Sequence, residues 1–213
     1  MPFCPRIAPW SEEGGDGLLE KYLIAHCAPT LASLKTASLF CLPYASEEAL
    51  ESQLAEWNRR LEGKGIRLLT LRRQEQRQPA QDPGGCPRRS ALVYVCRETS
   101  LRRDLGRPEV ARFLGRYGYE SVEPASALAT LRQRLEAGGG FPHEIGLFLG
   151  YPLGDVEGFI QNGGRNSKVS GCWKVYGEPG EAVKLFAKFK KCRDVYTRLW
   201  QEGRSVWQLT VAA

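Results

Sequence analysis

The chain has 213 residues, of which 42% are hydrophobic, 25% charged and 10% aromatic. This composition is typical of a globular protein with a sizeable buried core, and it excludes collagen-like and wholly disordered classes. The net charge is +6, and the surplus is concentrated in residues 165–204, which contain ten basic and four acidic residues. Such a local positive field favours anionic partners, although a basic helix that is merely solvated is the alternative interpretation.

Seven cysteines occur at irregular intervals without a CxxC pair, so the sequence predicts neither a zinc ribbon nor a thioredoxin-type motif. The N-terminus lacks the layout of a signal peptide, and no apolar run reaches the ~18 residues of a membrane span. We therefore expect a cytoplasmic protein with reduced thiols and no membrane contact. Cys27 directly follows His26, but adjacent side chains on a helix diverge, which disfavours a thiol enzyme.

The first half of the chain alternates helical and extended patterns. Residues 1–16 are rich in proline, glycine and acid, and we expect a loose arm there. Hydrophobic spacing predicts a helix at 18–34 that Pro29 breaks or kinks, and a second helix from an N-cap at Ser46 to residue 61. The predicted strands are 38–43, 66–71 and 91–96, with the last two as antiparallel neighbours across an exposed polar loop at 74–89.

The second half is predicted to contain the helices 100–117 (interrupted by Pro108), 125–137, 154–162 and 181–202, the strands 145–151 and 172–176, and a last helical turn or strand at 205–211. Strands that alternate with helices predict an α/β layered sandwich, with a mixed sheet of about five strands flanked by helices. We expect residues 17–213 to form a single α/β domain, with a subdomain break near 138–140 as the alternative.

Two sequence segments are distinctive. One is HCAPTLASLKTASLF at 26–40; the other is HEIGLFLGYPLGDVEGFI at 143–160, followed by GCWKVYG at 171–177 and KLFAKFKKCRDVYTRLW at 184–200. Together they resemble the bacterial domain-of-unknown-function family number 3793, from Glu20 to the C-terminus. The resemblance implies a bacterial, cytoplasmic protein and no established activity. Genes for flavodoxin or iron transport neighbour the genes of some family members, so the resemblance also implies a function related to redox chemistry or to metals.

The candidate catalytic residues are His143, His26, Lys35 and Glu144. The two histidines are the only ones in the chain, and each opens one of the distinctive segments. They are interpreted either as converging acid/base groups or metal ligands, or as hydrogen-bonded residues that tie an element end. His143 and Glu144 are adjacent and would point to opposite faces of an extended segment, so we do not expect them to form a pair. Two histidines without an acidic cluster are too few ligands to predict a metal site.

The candidate anion-binding residues lie in the basic C-terminal part. The loop NGGRNSK at 162–168 can wrap a phosphate or carboxylate with amides and cations, or can be a mobile surface turn. In helix 181–202 an apolar stripe faces the core and a basic stripe lies beside it. Alternate glycines in the predicted strand 145–151 would open one face to a ligand or to a closely packed helix. The predicted ligand-binding residues are Asn162, Arg165, Asn166, Lys168, Lys174, Tyr176, Lys184, Lys188 and Lys191.

The leading hypothesis is a protein that binds an anionic small molecule or cofactor, not yet identified, through this basic C-terminal site. Whether the protein is an enzyme is left open. The alternative is a non-enzymatic docking or carrier protein, redox or metal related, that binds an acidic protein partner through helix 181–202. Nucleic-acid binding is the third choice, because no nucleic-acid motif accompanies the basic residues.

Overall fold

The computed structural model describes residues 16–76, 88–138 and 140–212. Its helices are α1 Asp16–Leu31, α2 Glu47–Leu61, α3 Glu98–Leu105, α4 Pro108–Gly115, α5 Pro124–Glu136, α6 Ile145–Phe148, α7 Leu153–Asn162, α8 Pro179–Gln201 and α9 Val206–Leu209. Its strands are β1 Ala37–Pro43, β2 Ile66–Gln76, β3 Arg88–Arg97, β4 Val169–Ser170 and β5 Lys174–Val175. The α/β class is therefore confirmed, and with it most of the predicted elements.

The main sheet has three strands in the order β1-β3-β2, and β3 pairs antiparallel with both neighbours. Ala37 lies opposite Cys96 in one pair, and Ile66 lies opposite Arg97 in the other. The prediction that 66–71 and 91–96 are antiparallel neighbours is confirmed. The prediction of a mixed sheet of about five strands is wrong: the described residues form this antiparallel sheet and a separate two-stranded one.

Alternation along β3 places a hydrophobic core on each face of the sheet. Val93 and Val95 face a cluster that contains residues of α1, α2 and α9, whereas Tyr94 and Cys96 face a cluster built from α3 to α7. Successive side chains of a strand point to opposite faces, so a strand covered on both faces reads as a continuous apolar run. The layers of the predicted sandwich are thus present, around a smaller sheet than expected.

A buried arginine holds the end of α1. Arg97, only 2% exposed, donates from Nε to the Thr30 carbonyl at 2.7 Å and from Nη2 to the carbonyls of Leu31 and Val211 at 2.6 and 2.7 Å. The last carbonyls of a helix lack intrahelical partners, and a cation suits that negative end of the helix dipole. Arg97 therefore joins the sheet, α1 and the C-terminal tail, and it positions the turn that follows α1.

The predicted strand 145–151 is wrong. Residues 145–148 form the short helix α6, and all four of them are buried. A Cβ on Gly146 would lie 2.8 Å from Val156, so α6 and α7 approach closely there. Gly150 has φ +77° and leaves room for the Thr36 hydroxyl, 2.7 Å from where its Cβ would stand. The glycines thus permit close packing and a left-handed turn, and the predicted glycine face of a strand does not exist.

The C-terminal part forms a third cluster, in which β4 and β5 pair antiparallel and pack on α8. Only Lys174 and Val175 of the predicted strand 172–176 are in a strand. The segment at 205–211 is a helical turn, α9, rather than a strand. Helix α8 packs against α1, so the basic helix and the first distinctive segment are neighbours.

Some predictions concern residues outside the described ranges. The arm at 1–16 lies there up to residue 15, and Asp16 begins α1. The predicted loop at 74–89 is strand at both ends, and its residues 77–87 are not described. The single domain, and the alternative break near 138–140, stay predictions. Within the described ranges, no helix combines the length and apolar character that crossing a membrane requires.

Candidate functional site

A cavity of about 1090 Å³ opens between α1, the α6–α7 segment, the β4–β5 hairpin and α8. His26 and His143 both line it, together with aromatic side chains from three of these elements. The structure therefore places the only two histidines of the chain on one cavity. Their chemical roles stay predictions.

One wall of the cavity is the hairpin, which a buried carboxylate fastens to α7. Asp155 accepts hydrogen bonds from the indole Nε1 of Trp173 and from the backbone amides of Tyr176 and Gly177, each at 2.8 Å. The three hydrogen bonds offset the free-energy cost of burying the carboxylate charge, and the bond from Nε1 fixes the orientation of the indole ring. Asp155, in the first turn of α7, therefore holds the hairpin against this helix.

Aromatic contacts continue this wall. The ring of Trp173 stacks on Tyr151 with centroids 4.9 Å apart and meets the edge of Phe186 at 4.5 Å. The Tyr151 hydroxyl donates to the Cys172 carbonyl at 3.3 Å. Trp173, Tyr151, Phe186 and Cys172 all line the cavity. Offset and edge-on arrangements of this kind are the favoured geometry for aromatic groups, including those of a ligand.

His143 forms part of the opposite wall. Its ring lies 4.9 Å from that of Phe159 and 5.8 Å from that of Phe141. Burial lowers the pKa of His143, and the nearby Glu144 carboxylate only partly opposes this. The imidazole is therefore mainly neutral at pH 7, able both to donate and to accept a hydrogen bond.

Glu144 is not among the residues that line this cavity, and the extended geometry from which its divergence from His143 was predicted is absent, because Glu144 is the N-cap residue of α6. It is 1% exposed and accepts from Arg134 Nε at 2.6 Å and from the Tyr119 hydroxyl at 3.2 Å. Glu144 instead borders a second cavity of about 300 Å³, whose wall also contains His143. A carboxylate already held by a guanidinium and a phenol is suited to fixing the loop before α6.

His26 lies on α1 at the other end of the cavity, near α8. Its ring stacks on Phe40 with centroids 5.5 Å apart. Burial lowers the pKa of His26, and the positive charge of Arg193 lowers it further. His26 is therefore also mainly neutral at pH 7, and Arg193 supplies the positive charge at this end of the cavity.

Three cations line the cavity, and they differ in their partners. The ammonium of Lys174 donates to the Gly164 carbonyl. Lys190 forms an exposed ion pair with Asp194, with Nζ and Oδ2 2.7 Å apart. Arg193 makes no ion pair or side-chain hydrogen bond with any residue in the described part of the chain. Against these cations, the described lining residues include one carboxylate, that of Asp155, whose oxygens already accept hydrogen bonds from the hairpin.

Lys35 projects from the turn after α1, as predicted, and lies beside the hairpin wall. Its Nζ is 5.2 Å from the centroid of the Tyr151 ring. Burial lowers the pKa of Lys35 to about 8, an effect that the Arg193 charge reinforces and that the Cys172 and Cys27 thiols oppose. Lys35 is not itself a lining residue of the cavity, but two of these neighbours, Tyr151 and Cys172, are.

The predicted anion loop at 162–168 does not reach the cavity. Its polar groups hold the loop itself: Asn162 donates to the Gly158 carbonyl at 2.7 Å, and Lys168 donates to the Gly177 carbonyl at 2.8 Å. The Arg165 side chain is exposed, while its carbonyl accepts from the Tyr176 hydroxyl at 2.9 Å. Asn166 has φ +60° in the same turn. Of the residues predicted around this loop, only Lys174 lines the cavity.

The predicted basic stripe of α8 also lies outside the cavity. Lys184, Lys188 and Lys191 are exposed, and Lys184 pairs with Glu181 at 2.8 Å. The face of α8 that lines the cavity carries Val183, Phe186, Ala187, Lys190 and Arg193. The first four are spaced as i, i+3, i+4 and i+7, which is a detectable helical stripe. Sequence reasoning missed Lys190 and Arg193 because the neighbouring stripe of α8 has more lysines, and it missed Trp173 because the contact of this residue with Asp155 is a tertiary one.

The thiols divide between core and cavity wall. Cys27 is fully buried in the core, and burial raises its pKa to about 12, so it is an inert thiol. Cys172 is half-buried and lines the cavity. Within the described ranges, no group of three or more histidine, cysteine or acidic side chains is arranged to hold a metal ion.

Comparison with known proteins gives one match. Searches of curated proteins and of solved structures found nothing similar to this chain. A family model described as "Protein of unknown function (DUF3793)" matches residues 23–210, which include both distinctive segments, α8 and every cavity residue discussed above. The resemblance drawn from those segments is confirmed, and the chain belongs to the DUF3793 family.

Proposed function

We propose that the protein binds an anionic small molecule with an apolar, ring-containing body in the cavity between α1 and α8. One observation carries the proposal: among the residues that the structure describes, aromatic walls and three cations surround a space whose single lining carboxylate already accepts hydrogen bonds. The proposal concerns binding, and no catalytic step is assigned to His26, His143 or Glu144. The bacterial source and cytoplasmic location that the family resemblance implies stay predictions.

The charge balance favours an anion. Arg193 presents a guanidinium without a protein partner among the described residues, and Lys190 lies one turn before it on α8. A planar guanidinium matches the oxygens of a carboxylate, sulfonate or phosphate and can bind two of them at once. The two neutral histidines add hydrogen-bonding capacity without adding charge. An acidic group at the α8 end of the cavity would satisfy Arg193.

The aromatic walls favour a flat, apolar body. Trp173, Phe186, Tyr151 and Phe159 bring large apolar surfaces to the cavity. Each well-placed aromatic pair contributes about 0.5–1.5 kcal/mol beyond the burial of its area. Ligand cavities usually measure roughly 300–1,000 Å³, so a cavity of about 1090 Å³ accommodates a molecule of cofactor size.

Docking of an acidic protein on α8 has weaker support. Three basic residues of this helix already pair with acids on the same helix, namely Lys184 with Glu181, Lys190 with Asp194 and Arg198 with Glu202. Exposed pairs of this kind have little energetic value, but they reduce the net charge offered to a partner. The cavity offers a buried apolar surface as well as charge, so a small molecule fits the observations better than a protein or a nucleic acid.

The experiment compares two dyes that differ in one charged group. Anilinonaphthalenesulfonate is anionic, aromatic and apolar, and phenylnaphthylamine is its neutral counterpart. Affinities are measured by fluorescence titration for the wild type, Arg193→Gln and the matched control Lys188→Gln. Lys188 lies on the same helix and is exposed, but it does not line the cavity.

We expect Arg193→Gln to weaken the sulfonate about tenfold or more, because a hydrogen bond to a charged group contributes about 1.5–3 kcal/mol. The neutral dye should bind Arg193→Gln as it binds the wild type, and Lys188→Gln should leave both affinities unchanged. Equal weakening by Lys188→Gln would indicate general surface attraction, and an unchanged sulfonate affinity in Arg193→Gln would contradict the proposed site.

A further inference from the structure

Lys35 is held beside the cavity without an acidic partner. Its Nζ lies over the ring of Tyr151, 5.2 Å from the centroid. Leu34, the preceding residue, packs on the cluster that contains Trp173 and Phe186. Within the described part of the chain the Lys35 ammonium forms no ion pair and no hydrogen bond. The ammonium therefore lies at the hairpin wall, and its N–H groups donate to no acceptor among the described residues.

The turn around Lys35 does not need this side chain. The backbone amides of Leu34 and Lys35 both donate to the Pro29 carbonyl, at 2.8 and 3.1 Å. These bonds close the turn after α1 whatever the side chain at position 35. A partly buried ammonium without a carboxylate is costly, because burial removes its water without returning a counter-charge. A residue that served packing alone would be apolar.

The groups that face Lys35 come from four neighbouring elements. They are the Cys27 thiol of α1, the Tyr151 ring of the α6–α7 segment, the Cys172 thiol of the β4–β5 hairpin and the Arg193 guanidinium of α8. Burial and Arg193 disfavour the charged amine, and the pKa of Lys35 falls to about 8. At pH 7 about a tenth of Lys35 is then uncharged, roughly 300-fold more than for a lysine with the ordinary pKa of 10.5.

We propose that Lys35, which lies beside this cavity against its lining residue Tyr151, is a carbonyl-reactive amine that forms an imine with an aldehyde or ketone group on the bound anion. The inference rests on the proposed function, and it narrows the ligand to an anionic carbonyl compound with a ring-containing body. Arg193 lines the cavity and also acts electrostatically on Lys35. A ligand whose anionic group binds Arg193 and whose body lies on the aromatic wall would contact Tyr151, and the Lys35 Nζ is 5.2 Å from the centroid of that ring.

The reaction needs no oxidant or reductant. The lone pair of the uncharged Lys35 nitrogen attacks the carbonyl carbon, and a C–N bond forms while the C=O π electrons move to oxygen. Proton transfer from nitrogen to that oxygen gives a carbinolamine. Loss of the second nitrogen proton and of hydroxide, together one water molecule, leaves the C=N bond of the imine. Hydrolysis reverses the sequence and releases the carbonyl compound.

The experiment uses pyridoxal phosphate as the probe, because it is an anionic aromatic aldehyde. The full-length wild type is incubated with less than one equivalent of probe and reduced with borohydride, and the modified lysine is located by peptide mass mapping. Lys35→Arg keeps the positive charge but cannot form an imine. Pyridoxine phosphate has no aldehyde, and it serves as a competitor and as a direct test of binding by calorimetry.

We expect the pyridoxyl group on Lys35 at least tenfold more often than on the exposed Lys188, and we expect pyridoxine phosphate to suppress it. Lys35→Arg should bind pyridoxine phosphate and lose the modification. If pyridoxine phosphate binds but the label is on Lys190, Lys174 or Lys188, the inference is overturned while the proposed function stands. If pyridoxine phosphate does not bind and the most exposed lysines are the most modified, the inference is overturned as well. The dye titration then tests the proposed function separately.

The pH dependence of the labelling rate, measured on the wild type, tests the inference even if Lys35→Arg does not fold. Labelling of Lys35 should rise about tenfold per pH unit up to about pH 8 and level off above it, since the uncharged amine is the nucleophile. Labelling of Lys188 in the same samples should still be rising at pH 9. Parallel profiles for the two lysines would overturn the inference.

Discussion

The carboxylate of Asp155 should decide whether the hairpin wall of the cavity forms. Asp155→Asn changes one acceptor oxygen into an NH2 group, which would face the indole N–H of Trp173 across a distance of 2.8 Å. One charge-assisted hydrogen bond is lost, and the bonds from the amides of Tyr176 and Gly177 become neutral. A hydrogen bond to a charged group contributes about 1.5–3 kcal/mol and a neutral one about 0.5–1.5 kcal/mol. The smaller desolvation of asparagine offsets part of the loss, so we expect a destabilisation of about 2–4 kcal/mol.

Urea denaturation followed by circular dichroism measures this change. With a urea dependence of about 1–3 kcal/mol per molar, the midpoint should fall by about 1–2 M. Hydrogen exchange of the Tyr176 and Gly177 amides gives a local readout, because both donate directly to Asp155. Exchange of both amides should accelerate in Asp155→Asn.

A double-mutant cycle with Trp173→Phe provides the control. Phenylalanine removes the indole N–H, so Asp155→Asn should cost about 1 kcal/mol less in that background than in the wild type. Exact additivity, or a midpoint shift below about 0.3 M with unchanged exchange of both amides, would refute the role given to Asp155.

Three further predictions concern other parts of the structure. Arg97→Lys should destabilise the protein by about 3 kcal/mol in urea denaturation, because an ammonium cannot reach all four carbonyls that the guanidinium binds, and a loss below about 1 kcal/mol would contradict this. Gly150→Ala should lower the free energy of unfolding clearly more than Gly118→Ala does in the same assay. Both glycines have positive φ, but only Gly150 has Thr36 against its Cβ position, and equal losses would refute this close approach. The pKa of Lys35 is lower in the folded protein than in the unfolded chain, so folding disfavours protonation of this lysine. The free energy of unfolding of the wild type, relative to that of Lys35→Met, should therefore rise as the pH increases from 7 to 9.5. A flat difference between these two proteins would show that Lys35 titrates normally.

The short elements of the sheet were predictable because their patterns are unambiguous. Residues 66–71 and 91–96 combine β-branched and apolar residues, and both lie in strands. The helix from Ser46 was equally clear: its N-cap hydroxyl accepts from the Ala49 amide at 3.2 Å, and Leu50, Leu54, Trp57 and Leu61 form its buried face. Local periodicity and end signals agree in these elements, which is why sequence reasoning sufficed.

The segment 145–151 shows why periodicity fails for a fully buried run. Ile145, Leu147, Phe148 and Leu149 are all buried, so no polar residue marks an exposed face and the pattern cannot separate a strand from a short helix. The deciding feature is Gly150, whose positive φ turns the chain back toward Thr36. That requirement arises from a tertiary contact and has no local sequence signature. The main sheet therefore lacks the strand predicted at 145–151, while the strand predicted at 172–176 pairs with β4 in a separate sheet.

The candidate site was predicted in part. Sequence reasoning selected His26, His143 and Lys174, which line the cavity, and Lys35, which lies beside it. It placed the anion at the loop 162–168, but Lys168 of that loop donates to the Gly177 carbonyl and Arg165 is exposed. Which lysines of α8 face the cavity depends on how α8 docks on α1 and the hairpin, and a single sequence does not specify that docking.

The most direct test of the central claim is a titration of the isotope-labelled wild type with anilinonaphthalenesulfonate, followed through the indole N–H resonances. Trp173 lines the cavity, whereas Trp207 is 53% exposed and Trp57 is buried in the core on the other side of the sheet. The account predicts that the Trp173 resonance shifts and saturates at one equivalent while those of Trp57 and Trp207 stay in place. A shift of Trp207 with an unmoved Trp173 resonance would place the dye on the surface and contradict the proposed binding cavity.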